Sequence, residues 1–155
     1  ESRLETITQQ IISAVNGNEM ARRLQSIPGI GPLSASALVA SVGQASNFKN
    51  GRALAAWLGL VPGQHSSGGK AKLLGISKRG DNYLRSLLVH GGRAVYYSNR
   101  RVSSKPADPW ITGLSQRKVA NVVSLAIANR NARIAWALMS SGQCYSLRQE
   151  AGQVR

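Results

Sequence analysis

The string Ile27-Pro28-Gly29-Ile30-Gly31-Pro32 leaves the backbone few paths. Proline lacks an N–H and breaks a helix that runs through it, yet its fixed φ suits the first position of a new helix. One helix therefore stops ahead of Pro28 and another starts at Pro32, with Gly29 and Gly31 supplying the freedom for a tight turn. The same punctuation recurs along the chain. Leu4, Ile7, Ile11, Ile12 and Val15 fall at helical spacing before Gly17, which predicts a first helix of about four turns, the tail of a longer helix or coiled coil. Further helices are expected over residues 18–26, over 32–42 closed by Gly43, and over 50–58 closed by Gly59. Ser77 is placed to cap a helix carrying Tyr83, Leu84, Leu87, Leu88 and Val95, in which Gly91 and Gly92 mark close packing. Residues 98–109 form a polar linker, a short helix covers 110–116, and the longest runs over 118–141 with Val119, Val122, Val123, Ala126, Ile127, Ile134 and Leu138 on its buried face, until Gly142 ends it. No strand ladder and no repeat is apparent, so the expected class is all-α.

The segment 24–40, LQSIPGIGPLSASALVA, resembles a helix-hairpin-helix motif. The free N–H groups of such a turn, at a helix N-terminus, can hold a phosphate without reading base sequence, which makes Gly29 and Gly31 candidate nucleic-acid contacts. The alternative is a helical hairpin that only packs, with Ile27 and Ile30 plugging the core.

Charge identifies the partner. Lys and Arg number 20 against 6 Asp and Glu in 155 residues, a net charge of +14, and the expected partner is a polyanion, nucleic acid first. Residues 1–48 hold three bases and three acids, whereas the remainder holds seventeen bases and three acids, so the polyanion should meet the later two-thirds. Glu1, Glu5, Glu19, Asp81, Asp108 and Glu150 are too scattered for a Mg²⁺-holding carboxylate cluster or a glycosidase pair. Cys144 is the single cysteine, and His65 and His90 lie far apart, which argues against a zinc finger or a disulfide framework; no metal site is expected. No apolar run is long enough to span a membrane and no leader pattern opens the chain, so a cytoplasmic place is expected. The chain begins at Glu1 with residues that read as mid-helix, and a longer parent polypeptide is expected.

Residues 61–77, VPGQHSSGGKAKLLGIS, carry Pro62, four glycines and the Ser66-Ser67 doublet, and are expected to form a loop or a small hairpin. A hydroxyl beside Gly68 and Gly69 is open to a bulky phosphodiester, and nearby cations can stabilise both a serine alkoxide and the pentacovalent transition state. Lys70, Lys72, Lys78, Arg79 and Arg85 form the inferred phosphate-neutralising shell, argued from charge and proximity. Read by composition alone, the same segment is a basic loop whose serines are filler. His65 is in reach to act as a base, although a histidine next to a serine is commonly incidental. Asn129, Arg130, Asn131 and Arg133 suit bonding to nucleic acid or to a neighbouring helix, and Trp57, Trp110 and Trp136 are expected as core anchors rather than stacking platforms.

The strings IPGIGPLSASALVASVG, FKNGRALAAWLGLVPGQHSSGGKAKLLGISKRGDNYLRSLLVHGGRA and NVVSLAIANRNARIAWALMSSGQCY, in this order, resemble the C-terminal transposase domain of bacterial insertion-sequence transposases of the one-ten and eleven-eleven type, relatives of pilin-gene invertases. The resemblance covers residues 24–145, leaving 1–23 as a helical tail of an upstream coiled-coil segment and 146–155 as a basic C-terminal tail. It implies an enzyme fragment from an RNA-guided DNA transposase or recombinase. In that family a RuvC-like domain with four metal-binding acids precedes the coiled coil, and nothing in this chain matches those acids. Mg²⁺ is therefore expected on the absent domain, with no cofactor in this chain, which alone should be inactive. The family's serine-glycine motif falls on Ser67-Gly68, which implies Ser67 as nucleophile, with Ser66 as fallback because of the doublet. Implied partners are double-stranded DNA, a structured guide RNA and further copies of the protein, dimer to tetramer, in a bacterial, nucleoid-associated setting. The competing readings are a non-catalytic helix-hairpin-helix module that binds nucleic acid and an architectural subunit of a ribonucleoprotein.

Overall fold

The computed structural model describes residues 2–67, 70–101 and 107–146, with the backbone alone for 64–67 and 70–74. Among these described residues, seven helices and one two-stranded sheet follow in order: α1 (Ser2–Asn16), α2 (Glu19–Leu24), α3 (Pro32–Val42), α4 (Gly51–Trp57), β1 (Pro62–Ser67), β2 (Lys70–Ile76), α5 (Asn82–Arg100), α6 (Pro109–Ser115) and α7 (Ala120–Ser141), with a 3₁₀ turn at Ala45–Asn47. The class is all-α, as its helical periodicity predicts. The starts of four helices are set by short polar side chains that accept from otherwise unpaired N–H groups. Asn18 accepts from Ala21, Asn50 from Ala53 and Asp81 from Leu84, each at 2.9 Å, and Asp108 accepts from Trp110 at 2.9 Å and from Ile111 at 3.3 Å. Gly142 closes α7 in the left-handed region at φ 69°.

Helix α7 is the strut of the fold, packed against α2, α4, α5, α6 and the 3₁₀ turn. Its inward face is unusually small: Ser124, Ala128, Ala132 and Ala135 are buried there with Val123, Ile127 and Leu138. That face admits α5 at very short range. A Cβ on Gly92 would lie 2.4 Å from the Ser124 carbonyl oxygen and 3.2 Å from the Ala128 nitrogen. Leu24, Ile27, Leu38, Leu54, Leu58, Leu84 and Leu88 are essentially inaccessible and fill the main core. Tyr96, Ile111, Val123 and Ile127 form a second cluster under α6.

Several expectations are corrected. The absence of a strand ladder does not hold: residues 61–77 take the hairpin alternative, β1 pairing antiparallel with β2. Asp81, not Ser77, caps α5, because Ser77 N–H and Lys78 N–H are engaged by the carbonyls of Val61 and Gly59, which holds the chain off a helical path until Asn82. Val119 is 70% and Val122 43% exposed; the Gly92–Ser124 contact fixes the roll of α7 and turns Val122 outward. Tyr83 also faces solvent, and α5 continues through the start of the expected linker to Arg100. The linker's residues 102–106 and the C-terminal residues 147–155 lie outside the described part. On α1, Val15 is buried whereas Leu4 and Ile7 are exposed.

Candidate functional site

The hairpin register sorts the serine doublet. Ser67 pairs with Lys70, Ser66 with Ala71, His65 with Lys72 and Gln64 with Leu73. Residues directly opposite share a face of an antiparallel pair and alternate residues return to it. Register positions 65, 67, 70 and 72 thus share one face, and 64, 66, 71 and 73 the other. Ser67 falls with His65 and both lysines; Ser66 falls with Ala71 and Leu73. Gly68 and Gly69, between the paired ends, are outside the described residues. The register slips between Pro62 and Gln64, where Pro62 pairs with Ile76, a bulge at the root of the hairpin.

That root stands on a rigid base. Gly59 (φ 71°) and Gly80 (φ 90°) bring the end of α4 and the segment after β2 into backbone contact: an added Cβ at Gly59 would lie 2.3 Å from Arg79 O, and one at Gly80 would lie 1.7 Å from Trp57 O. Arg85 ties the same junction from inside. It is 8% exposed, and its guanidinium donates to Leu58 O at 3.1 Å, Arg79 O at 3.4 Å and Asn82 Oδ1 at 2.7 Å. Lys78 and Arg79 are exposed on this base, Lys78 with a left-handed φ of 55°. The five cations grouped by sequence are therefore of three kinds. Lys70 and Lys72 lie on the hairpin, Lys78 and Arg79 face solvent at its root, and Arg85 holds the backbone below.

Sequence reasoning passed over a cleft beside the root, about 490 Å³ in volume, lined among others by Lys78, Asn82, Ser86, His90, Arg93 and Asn121. Arg93 donates to Asn121 Oδ1 at 3.4 Å. The signal for it was present, since Asn82, Ser86 and His90 recur every four residues and make a polar stripe along α5.

The glycine turn is divided. At Gly29 (φ 88°) a Cβ would lie 2.7 Å from Gly91 O and 2.8 Å from Val95 Cγ2, and a Cβ on Gly91 would lie 1.9 Å from Gly29 O. Turn and α5 touch backbone to backbone. Asn131 Nδ2 donates to Pro28 O at 2.8 Å, and Ile27 and Ile30 are buried. Gly31 is different: it is exposed, a Cβ there would meet nothing within 4 Å, and no side chain caps the helix α3 that follows.

Along α7, Asn129 donates to Leu60 O at 3.1 Å, while Arg130 pairs with Asp108 at 2.9 Å and lies 4.7 Å above the Trp110 ring. With Asn131 on Pro28, three of the four polar residues there bond within the fold; Arg133 is exposed. Of the tryptophans, Trp136 is anchored, its indole N–H donating to Ala45 O at 3.0 Å and Phe48 O at 3.2 Å. Trp57 and Trp110 are 38% and 44% exposed, which corrects their assignment to the core. The Trp57 ring lies 5.4 Å from that of Phe48, and the Trp110 ring lies under Arg130.

Among the described residues no group of three His, Cys, Asp or Glu side chains could hold a metal ion. The donors among the described residues thus do not come together as a Mg²⁺ site needs. No helix among the described residues is long and apolar enough to cross a membrane.

The sequence profile described as Transposase IS116/IS110/IS902 family matches residues 21–106. A probable family 20 transposase of Pseudomonas aeruginosa is 52% identical over 148 residues, 94% of this chain and 43% of that protein. The transposase for insertion sequence element IS1111A of Coxiella burnetii is 44% identical over 137 residues, 88% of this chain and 37% of its own length. The IS1328 transposase of Yersinia enterocolitica is 42% identical over 143 residues, 92% of this chain and 42% of its own length. The chain spans about two-fifths of the length of these curated relatives. The family profile reaches from α2 through the turn, the hairpin and α5, the elements that build the site just described, and the chain belongs to the IS116/IS110/IS902 transposase family.

Proposed function

We propose that this chain is the serine-bearing domain of an RNA-guided DNA transposase or recombinase, with Ser67 as the nucleophile. The observation that carries the reading is the hairpin register, which sets Ser67 opposite Lys70 on the face that also holds His65 and Lys72. Ser67 Oγ attacks the phosphorus of a DNA phosphodiester and gives up its proton. The bond from phosphorus to the leaving sugar oxygen breaks, that oxygen takes up a proton, and a phosphoserine–DNA linkage remains. Attack by a hydroxyl of the incoming strand reverses the step, forms the exchanged strand and returns Ser67. Lysines beside the serine favour its alkoxide and offset charge on the equatorial oxygens. Lys78 and Arg79, exposed on the glycine-locked base, hold neighbouring phosphates. Gly31 and the uncapped start of α3 take the phosphate-binding share of the turn, and Gly29 the packing share.

Mg²⁺ belongs to a RuvC-like domain elsewhere in the full-length protein, and this chain by itself is inactive. Double-stranded DNA, a structured guide RNA and further copies of the protein, dimer to tetramer, are its partners. The non-catalytic helix-hairpin-helix reading draws its support from the open Gly31 and the uncapped α3. Ser67→Ala in the full-length protein with guide RNA decides between them. The expected result is loss of strand exchange by about a thousandfold or more, loss of protein-linked DNA on denaturing gels, and unchanged binding, with Ser66→Ala still active. An adduct that persists in Ser67→Ala moves the nucleophile to another serine. Exchange without any adduct removes serine catalysis, and binding without exchange or adduct in the wild type leaves the non-catalytic module.

A further inference from the structure

Away from the hairpin, α4 and α7 meet at Gly51. A Cβ there would lie 2.9 Å from Arg133 Cα and 3.0 Å from Arg133 O, so glycine alone lets the start of α4 lie against the backbone of α7. The contact brings the next residue, Arg52, to the same recess as Arg133. The recess measures about 480 Å³, Arg130 and Trp136 also line it, and no carboxylate is among its described lining residues. Its floor is firm, because the Trp136 indole is fixed to the 3₁₀ turn through Ala45 O and Phe48 O. Arg130 is committed to Asp108 and stacked on Trp110. Arg52 and Arg133 are exposed, and neither guanidinium makes a hydrogen bond or ion pair among the described residues. Asp108 offsets the charge of Arg130, whereas Arg52 and Arg133 leave positive charge on the recess that an anion bound there would offset. The planar fork of arginine matches phosphate oxygens two at a time.

We propose that Arg52 and Arg133, backed by Arg130, bind a phosphodiester of a nucleic-acid backbone in this α4–α7 recess, which no described residue of the β1–β2 hairpin lines. The proposal rests on the nucleic-acid reading above and adds a further backbone contact to it, apart from the hairpin and its root. Such a contact sets the position and register of the polymer without reading bases.

The test is the salt dependence of binding by the full-length protein in EDTA, measured by fluorescence anisotropy with a duplex DNA and, separately, a structured RNA hairpin. The double variant Arg52→Gln with Arg133→Gln is expected to flatten the slope of log K against log salt by about one for at least one polymer, and the polymer affected identifies the source of the phosphate. Arg52→Lys with Arg133→Lys should keep the slope. If the glutamine pair melts early, Arg133→Gln alone should flatten the slope in the same direction, by less than the pair. Slopes equal to wild type with both polymers would overturn the recess while leaving the hairpin reading intact. A wild-type protein that binds neither polymer would overturn both.

Discussion

The turn at residues 27–31 and the hairpin at 62–76 are both rich in glycine and both invite the reading of a phosphate cradle, yet the fold treats them differently. In the turn, Gly29 gives up its space to the backbone of α5, and Asn131 reaches 2.8 Å to Pro28 O, so the glycine is a packing device. In the hairpin the locking glycines, Gly59 and Gly80, sit outside the strands, at the root. They hold the base so that what projects from it, including the Ser67–Lys70 pair, starts from a defined position. A glycine next to a candidate ligand group is thus ambiguous until its neighbours are known: absence of a Cβ makes room for a ligand and for another backbone equally well.

The sharpest way to break this comparison is Gly91→Ala. A Cβ there would have to sit 1.9 Å from Gly29 O, and since backbone on both sides must move, a loss of at least about 3 kcal/mol is expected in urea unfolding. A loss under about 1 kcal/mol would mean that the turn is not locked. Next is Arg85→Met, which removes charge-assisted bonds to two backbone carbonyls and is expected to cost about 2 kcal/mol. The salt slope of nucleic-acid binding should stay unchanged, and a flatter slope would place Arg85 among the ligand contacts instead of the scaffold. Replacing Lys70 and Lys72 by alanine should do the reverse. Thermal unfolding should barely move, within about 0.5 kcal/mol, while the salt slope of duplex binding in the full-length protein falls by roughly one unit for each lysine. Relaxed base preference at constant slope would instead make these lysines base readers. The smallest effect is expected from Gly31→Ala, whose new methyl group meets nothing within 4 Å at a φ of −90°. A change beyond about 0.5 kcal/mol in the same unfolding assay would show that the two glycines of the turn are not as unlike as their surroundings make them.

Local chemistry was sufficient for much of the molecule. Pro32 at a first helical position and Gly43 after the last gave the bounds of α3 without error, and the expected starts at 18 and 50 fall on the residues, Asn18 and Asn50, that cap α2 and α4. The Gly91-Gly92 pair was legible as a place of close approach, but its contacts were not, because Gly29 and Ser124 lie far from it in sequence. Arg85 was grouped with Lys78 and Arg79 because charge and proximity along the chain are all that a sequence offers. Its burial depends on the Leu58 carbonyl, which the end of α4 leaves unpaired within the helix and the tertiary fold places within 3.1 Å of the guanidinium. Likewise the serine doublet can be read in sequence as adjacent hydroxyls, whereas pairing with β2 assigns each to a face, since strand parity exists only once a partner strand sets it. Helix class, caps and the sign of the charge come from interactions within a few residues. The direction each charged or glycine position faces is set by packing between segments that the chain order keeps apart.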